Sequence, residues 1–223
     1  MALHVADHPI IAQKMTLLRD RDTTSVDFRR LVKEITFYLG YEASRSLKLK
    51  DRDVTTPLGM TYNGATVSDN VCIVPILRAG LSMAEGMMEL LPRAAVHHIG
   101  MYRTAGSLLP VQYYNRLPRN HNTDVAIICD PCIATSNTLQ AACSIVKRWG
   151  AKKIVIVATL ASRTGLDKLR EAHPDIDIYV AQIDEKLSEE GMILPGIGDA
   201  GDRLFETPLD DEASHGNGKK RKH

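Results

Sequence analysis

The apolar positions of this chain follow two different periods, and the change between them falls near residue 71. Before it, residues 25–46 (SVDFRRLVKEITFYLGYEASRS) space Phe28, Leu31, Val32, Ile35 and Leu39 by three and four. That spacing lines one face of an amphipathic helix, with Ser25 placed to cap its first turn. A shorter helix is predicted across HPIIAQKMTLLRD, residues 8–20. Residues 48–70 are polar and turn-rich, and the Asn63-Gly64 pair inside them predicts a small hairpin or hood.

From residue 71 short continuous apolar runs alternate with segments of helical period. VCIVPI precedes LRAG and LSMAEGMMELL; DVAIIC precedes DPCIATSNT and LQAACSIVKRWG; KKIVIVATLA precedes GLDKLREAH; DIDIYVAQI comes last. Continuous β-branched runs predict strands buried on both faces, and the alternation with helices predicts parallel crossovers. The expected fold class is therefore α/β, a doubly wound and mostly parallel sheet with an N-terminal helical segment and a hairpin. One domain is expected over residues 1–207, with a helical part at 8–46 and the α/β core at 71–207. Residues 208–223 are expected to form a polar, disordered tail.

Charge changes this picture little, because 28 basic residues nearly cancel 27 acidic ones. No global field draws the chain to nucleic acid or to a membrane, and a small neutral or anionic ligand suits it better. Apolar runs fall short of the ~18 residues of a membrane span, and the first residues lack the regions of a signal peptide. A soluble cytoplasmic protein is expected. The terminal KKRKH reads as a solvated tail in preference to a nuclear address. Cys72, Cys129, Cys132 and Cys143 are too few for a disulfide scaffold, so reduced thiols are expected.

Ligands of doubly wound sheets sit beyond the carboxyl ends of the strands, where loops enter helix N-termini. Both LRAG and DPCIATSNT fall at such ends. In the second, Thr135, Ser136, Asn137 and Thr138 can aim backbone N–H groups and hydroxyls at one anion, while Asp130 offers an acceptor for ribose hydroxyls or a hydrated Mg²⁺. Arg78, before Gly80, supplies a fork for phosphate or pyrophosphate, and Arg103 in GMYRTAG completes a clamp.

Two other motifs carry less. GIGDAG at 196–201 matches a dinucleotide fingerprint, but Pro195 precedes it and the chain after it is shorter than the ~30 residues of a strand–helix–strand unit. A loop that brings backbone amides against a flat ligand is the sharper reading. CDPC at 129–132 is followed by loop instead of opening a helix, so strand packing is favoured over redox or zinc chemistry. His97 and His98 are adjacent, and on a strand they would point to opposite faces, which argues against shared metal ligation.

At these residues the chain resembles the uracil phosphoribosyltransferases, which are type I phosphoribosyltransferases. VPILRAGLSMAEGM, GMYR, DPCIAT, AHPDIDIY and QIDEKLSEEGMILPGIGDAGDRLF match in order, together with the N-terminal HPII, FRRL and LGYEAS. The resemblance implies a Mg²⁺-assisted transfer from phosphoribosyl pyrophosphate (PRPP) to uracil, giving UMP. By position it implies that Arg78 and Arg103 grip PRPP, that Asp130 meets the ribose, and that Ala134 to Thr138 cradle the 5′-phosphate. Ile193, Gly198, Asp199 and Ala200 would present the edge that reads uracil, with Asp199 between base and PRPP. The segment RTAGSLLPVQYY would close over the site, and the family implies homodimers or homotetramers, with GTP as an effector in some members.

The chain also departs from the family. Ser136 and Asn137 stand where both glycines of the phosphate loop are usual, Met192 replaces a tyrosine, and TAGSLL replaces a charged stretch. A non-glycine residue forced into a left-handed conformation costs ~1–2 kcal/mol, a five- to thirty-fold loss of affinity. These departures leave open a second reading, a relative that binds uracil or a nucleotide in a regulatory role with weak or no turnover.

Overall fold

The computed structural model describes residues 2–103 and 109–207, with Arg103 described through its backbone alone. In chain order the elements begin β1 (Leu3–Val5), α1 (Pro9–Arg19), α2 (Ser25–Ser44), β2 (Leu49–Thr55), β3 (Thr61–Val67), β4 (Val71–Leu77), α3 (Leu81–Leu90), β5 (Ala95–Val96) and β6 (Ile99–Arg103). They continue β7 (Pro110–Asn115), β8 (Val125–Cys129), β9 (Cys132–Ile133), α4 (Asn137–Trp149), β10 (Lys153–Ser162), α5 (Arg163–Ala172), β11 (Asp177–Asp184), β12 (Lys186–Leu187), β13 (Ile193–Leu194) and α6 (Ala200–Phe205).

The main sheet runs β1-β11-β10-β8-β4-β6-β7. Neighbours along it are parallel except at the β6–β7 edge, which is antiparallel. From β4 the chain builds outward to one side through β6, then returns to the other side through β8, β10 and β11. The topological switch therefore lies between β4 and β8, where such sheets bind their ligands.

Side chains alternate across the strands to fill two cores. Val125, Ile127 and Cys129 face one layer with α1, α2 and α3, whereas Ala126 and Ile128 face the other with α4 and α5. Continuous apolar runs follow directly, because both faces of the strands are covered. On α2, Phe28, Leu31, Val32, Ile35 and Leu39 are all buried, each contributing about 1.5–3 kcal/mol of apolar burial.

Several details differ from the sequence expectation. The cap of α2 is Thr24, whose side chain accepts from the Asp27 amide at 3.2 Å; Ser25 is the first helical residue and bonds Glu206 instead. The hairpin exists as β2 and β3, but its turn is at Thr56-Pro57-Leu58-Gly59, closed by Gly59 N–H to the Thr56 carbonyl at 2.9 Å. Proline at the second and glycine at the fourth turn position suit that bend. Asn63 and Gly64 lie inside β3, where the Asn63 amide bonds Asp53 across the pair at 2.8 Å.

His97 and His98 occupy the gap between β5 and β6, not a strand; His97 packs edge-on to Trp149. Burial lowers the His97 pKa, and His121 and His98 add to the effect. Among the described residues no three His, Cys, Asp or Glu side chains converge into a metal cluster, and no helix is long and apolar enough to cross a membrane. The tail expected at 208–223 and residues 104–108 of the expected closing segment lie outside the described residues, while residues 110–114 of that segment lie in β7.

Candidate active site

At the carboxyl edge of the strands, on the switch side, two loops face each other across one cleft. One wall comprises residues 130–132, 134–136, 138 and 139, and the other comprises 192, 193 and 197–201, with Ala79 between them. The site residues Asp130, Ala134, Thr135, Ser136, Thr138, Ile193, Gly198, Asp199 and Ala200 are thus brought together. Asn137 is not part of the lining; it is the first residue of α4. Arg103 ends β6 at the same edge of the sheet, and its side chain lies outside the described residues.

Arg78 directly follows β4 through a cis Leu77–Arg78 peptide. Its guanidinium reaches Asp202 at 3.5 Å and lies 3.7 Å from where a Cβ on Gly201 would stand, so it borders the second wall. The side chain is more than half exposed, which makes this long ion pair weak and readily exchanged for an anionic ligand. Gly80 is demanded by packing within the sheet. A Cβ there would stand 2.4 Å from the Cys129 carbonyl oxygen, so close contact between backbones requires glycine.

The first wall is stitched to the sheet by its backbone. Cys132 and Ile133 pair with Leu160 and Ala161 of β10, and the Pro131 carbonyl accepts from Thr159 and Leu160. Ser162, fully buried, caps α5 by accepting from Gly165 N–H at 2.8 Å and donates its hydroxyl to the Ala134 carbonyl at 2.6 Å. Gly165 completes the contact, because a Cβ there would stand 2.0 Å from the same carbonyl oxygen.

Ser136 is the residue that takes the left-handed conformation, with φ 69° and ψ −9°. Its side chain does not cap α4, so the first-turn amides are not occupied by the residue at the cap position. The hydroxyl instead accepts from Gln140 Nε2 at 2.6 Å.

The second wall is braced by arginines from α1 and α6. Arg19 meets the buried Asp184 through two 2.8 Å contacts and donates to the Gly196 carbonyl at 2.9 Å, while Gly196 N–H donates to Asp184 at 2.9 Å. Both backbone polar groups of Gly196 are therefore fixed by one ion pair. Gly196 and Gly198 have φ of 67° and 72°, which glycine adopts without strain.

Arg203 donates to the carbonyls of Leu18, Asp20 and Ile197 and stacks its guanidinium 4.2 Å from the Phe28 ring centroid. Burial lowers its pKa, an effect partly offset by Asp20. Asp199 caps α6 by accepting from Asp202 N–H at 3.0 Å, which fixes its carboxylate at the mouth of the cleft. Sequence reasoning assigned no role to Arg19, Asp184, Arg203, Ser162 or Gln140, although Asp184 and Arg203 lie within the family match QIDEKLSEEGMILPGIGDAGDRLF.

CDPC forms no disulfide. Burial raises the Cys129 thiol pKa above the ordinary range, and it pushes Cys72 and Cys143 up to about 12.

Comparison with known proteins gives the family. The family model "Uracil phosphoribosyltransferase" matches residues 5–207, both walls of the cleft included. The chain belongs to the uracil phosphoribosyltransferase family. A family member from Dictyoglomus turgidum is 47% identical over 203 residues, covering 91% of this chain and 98% of the relative. Another, from Finegoldia magna, is 47% identical over 203 residues, covering 91% and 97%. Among solved structures, the AQ2163 protein from Aquifex aeolicus superposes with a TM-score of 0.87 at 34% identity, covering 93% of this chain and 99% of that one. A hypoxanthine phosphoribosyltransferase from Staphylococcus aureus shares the fold alone, with a TM-score of 0.50 and 14% identity over 74% of this chain and 76% of its own.

Proposed function

We propose that this chain is an active uracil phosphoribosyltransferase, transferring the phosphoribosyl group of PRPP to uracil to give UMP and pyrophosphate in pyrimidine salvage. The observation that carries the reading is one cleft whose two walls differ in chemistry. One is a strand–turn–helix anion seat ending in Ser136, and the other is a glycine-shaped backbone edge held by Arg19 and Asp184.

In this reading the amides at the start of α4 bind the 5′-phosphate, where the helix dipole favours an anion. Asp130 accepts from the ribose hydroxyls. The backbone around Ile193 and Gly198 to Ala200 pairs with the edge of uracil, and a base lacking the matching groups leaves buried polar atoms unpaired. Arg78 and Arg103 hold the pyrophosphate. As it departs, the sugar becomes oxocarbenium-like, and preplaced cations lower the cost of the charge that develops on the leaving group. Asp199, fixed as the cap of α6, is in this reading the carboxylate between base and sugar, facing the positive charge that develops on the sugar.

A hard cation fits the oxygens of this cleft, held by no residue directly but by the substrate's own phosphates, with Asp130 meeting only its hydration shell. Mg²⁺ bound there would screen the charge of the pyrophosphate. The working assembly in this reading is a homodimer or homotetramer, as the family resemblance implies.

Radiolabelled uracil, PRPP and Mg²⁺ are expected to give labelled UMP in proportion to enzyme. Absence of product at millimolar substrates, from protein that still unfolds cooperatively, would sink the assignment.

A further inference from the structure

The serine at the left-handed position of the phosphate loop has a partner of its own. Ser136 is 4% exposed, borders the cleft, and accepts from Gln140 Nε2 at 2.6 Å. Gln140 lies four residues on, so the two side chains share one face of the first turn of α4. The Gln140 backbone is fixed as well. Its N–H donates to the Ser136 carbonyl at 2.9 Å, and its own carbonyl accepts from His173 Nε2 at 3.1 Å, which requires the proton on that ring nitrogen.

A serine hydroxyl has one proton to donate and two lone pairs to accept with. At an ordinary helix cap the oxygen accepts a first-turn amide, as Ser162 does for Gly165. With φ of 69° Ser136 makes no such bond, and the Gln140 amide takes the acceptor role instead. Two consequences follow for an anion at the start of α4. The first-turn amides remain directed at it, and the Ser136 proton, turned away from Gln140, is left to donate toward it.

We propose that Gln140 is a positioning residue that fixes the Ser136 hydroxyl as an additional donor to the phosphate of the substrate. This rests on the phosphoribosyltransferase reading of the cleft and deepens it. The loop gives up a glycine but gains a hydroxyl whose donor direction is set from behind. A hydroxyl without Gln140 would share its proton among competing acceptors and hold the phosphate less well.

The test measures KM for PRPP, KM for uracil and kcat in wild type, Gln140→Leu, Ser136→Ala and the double variant, with ribose 5-phosphate binding by calorimetry alongside. Ser136→Ala keeps a Cβ at the left-handed position, so backbone strain is common to all four proteins. Losing a hydrogen bond to a charged group is expected to raise KM for PRPP about tenfold in either single variant. KM for uracil and kcat should stay within about twofold, and the double variant should be no worse than Ser136→Ala, because the two residues act through one hydroxyl.

Gln140→Glu is expected to be worst for PRPP, since its carboxylate accepts the hydrogen bond of the serine O–H and adds negative charge near the phosphate. Equal effects of Gln140→Leu with and without the hydroxyl, or an unchanged KM for PRPP, would overturn the proposal while leaving the enzyme reading intact. If the wild type makes no UMP, that reading fails by itself, and ribose 5-phosphate binding still decides the role of Gln140. Undiminished binding in Gln140→Leu, or no binding by the wild type, overturns it.

Discussion

The two walls of the cleft are held by different forces. The wall proposed to seat the phosphate is fixed by neighbours close in the sheet: strand pairing to β10, the Ser162 hydroxyl and the close approach of Gly165. The wall proposed to read uracil is fixed by charge from distant parts of the chain, through Arg19 with Asp184 and Arg203 against carbonyls at the end of α1. The difference follows from what each wall must present. A phosphate seat needs converging amides, which the start of a helix already supplies. A flat base needs one strand-like edge of alternating donors and acceptors on a glycine loop, and such a loop keeps its shape only if something rigid clamps its peptide groups.

The largest expected effect comes from removing the clamp. Asp184→Asn leaves the shape but not the charge, so Arg19 loses its ionic partner, keeping only Gln182 and the Gly196 carbonyl, and the clamp on Gly196 loosens. Breaking a fully buried pair costs about 3–5 kcal/mol, and a value near 3 is expected here because part of Arg19 reaches water. Urea denaturation measures the loss. In the same protein KM for uracil should rise about tenfold with KM for PRPP nearly unchanged, as one misplaced hydrogen bond predicts. Equal rises in both would mean that the walls are not separately held.

The converse change is smaller. Ser162→Ala removes the cap of α5, worth about 1 kcal/mol, and orphans the Ala134 carbonyl for about another 1 kcal/mol. Stability should fall by about 2 kcal/mol on those terms, and KM for PRPP should rise while KM for uracil holds. A rise confined to uracil would reverse the comparison.

The contrast also explains how far the sequence could be read. The phosphate wall lies within one strand–turn–helix stretch, so periodicity and turn residues mark it locally. The glycine loop was visible in the same way, but its braces were not. Arg19 meets Asp184 across 165 positions and Arg203 meets Leu18 across 185, and no local pattern pairs residues so far apart. The three-residue β1 was missed because it is too short to show a period, and the hairpin turn because Pro57 and Gly59 bend the chain before Asn63-Gly64 can. The residue in the left-handed region is Ser136, not Asn137, because helical geometry already begins at Asn137.

The smallest expected effect uses the cysteines as reporters of the phosphate wall. Alkylation needs the thiolate, and burial pushes Cys72 and Cys143 up to about 12, with Cys129 also raised. At pH 8 roughly one in ten thousand of the Cys72 or Cys143 thiols is ionised, and burial also shields them from reagent. Because the ordinary thiol value is 9.0, raising pH from there toward 12 ionises these groups in the unfolded chain before the native one, so stability falls over that interval. Below it, iodoacetamide should label Cys132 alone, since that side chain is half-buried and borders the anion seat. PRPP should slow the labelling several-fold and uracil alone should not, as peptide mapping by mass spectrometry would read directly. Protection by uracil alone would mean that the base reaches across to the phosphate wall, and the division of labour between the walls would fail at that point.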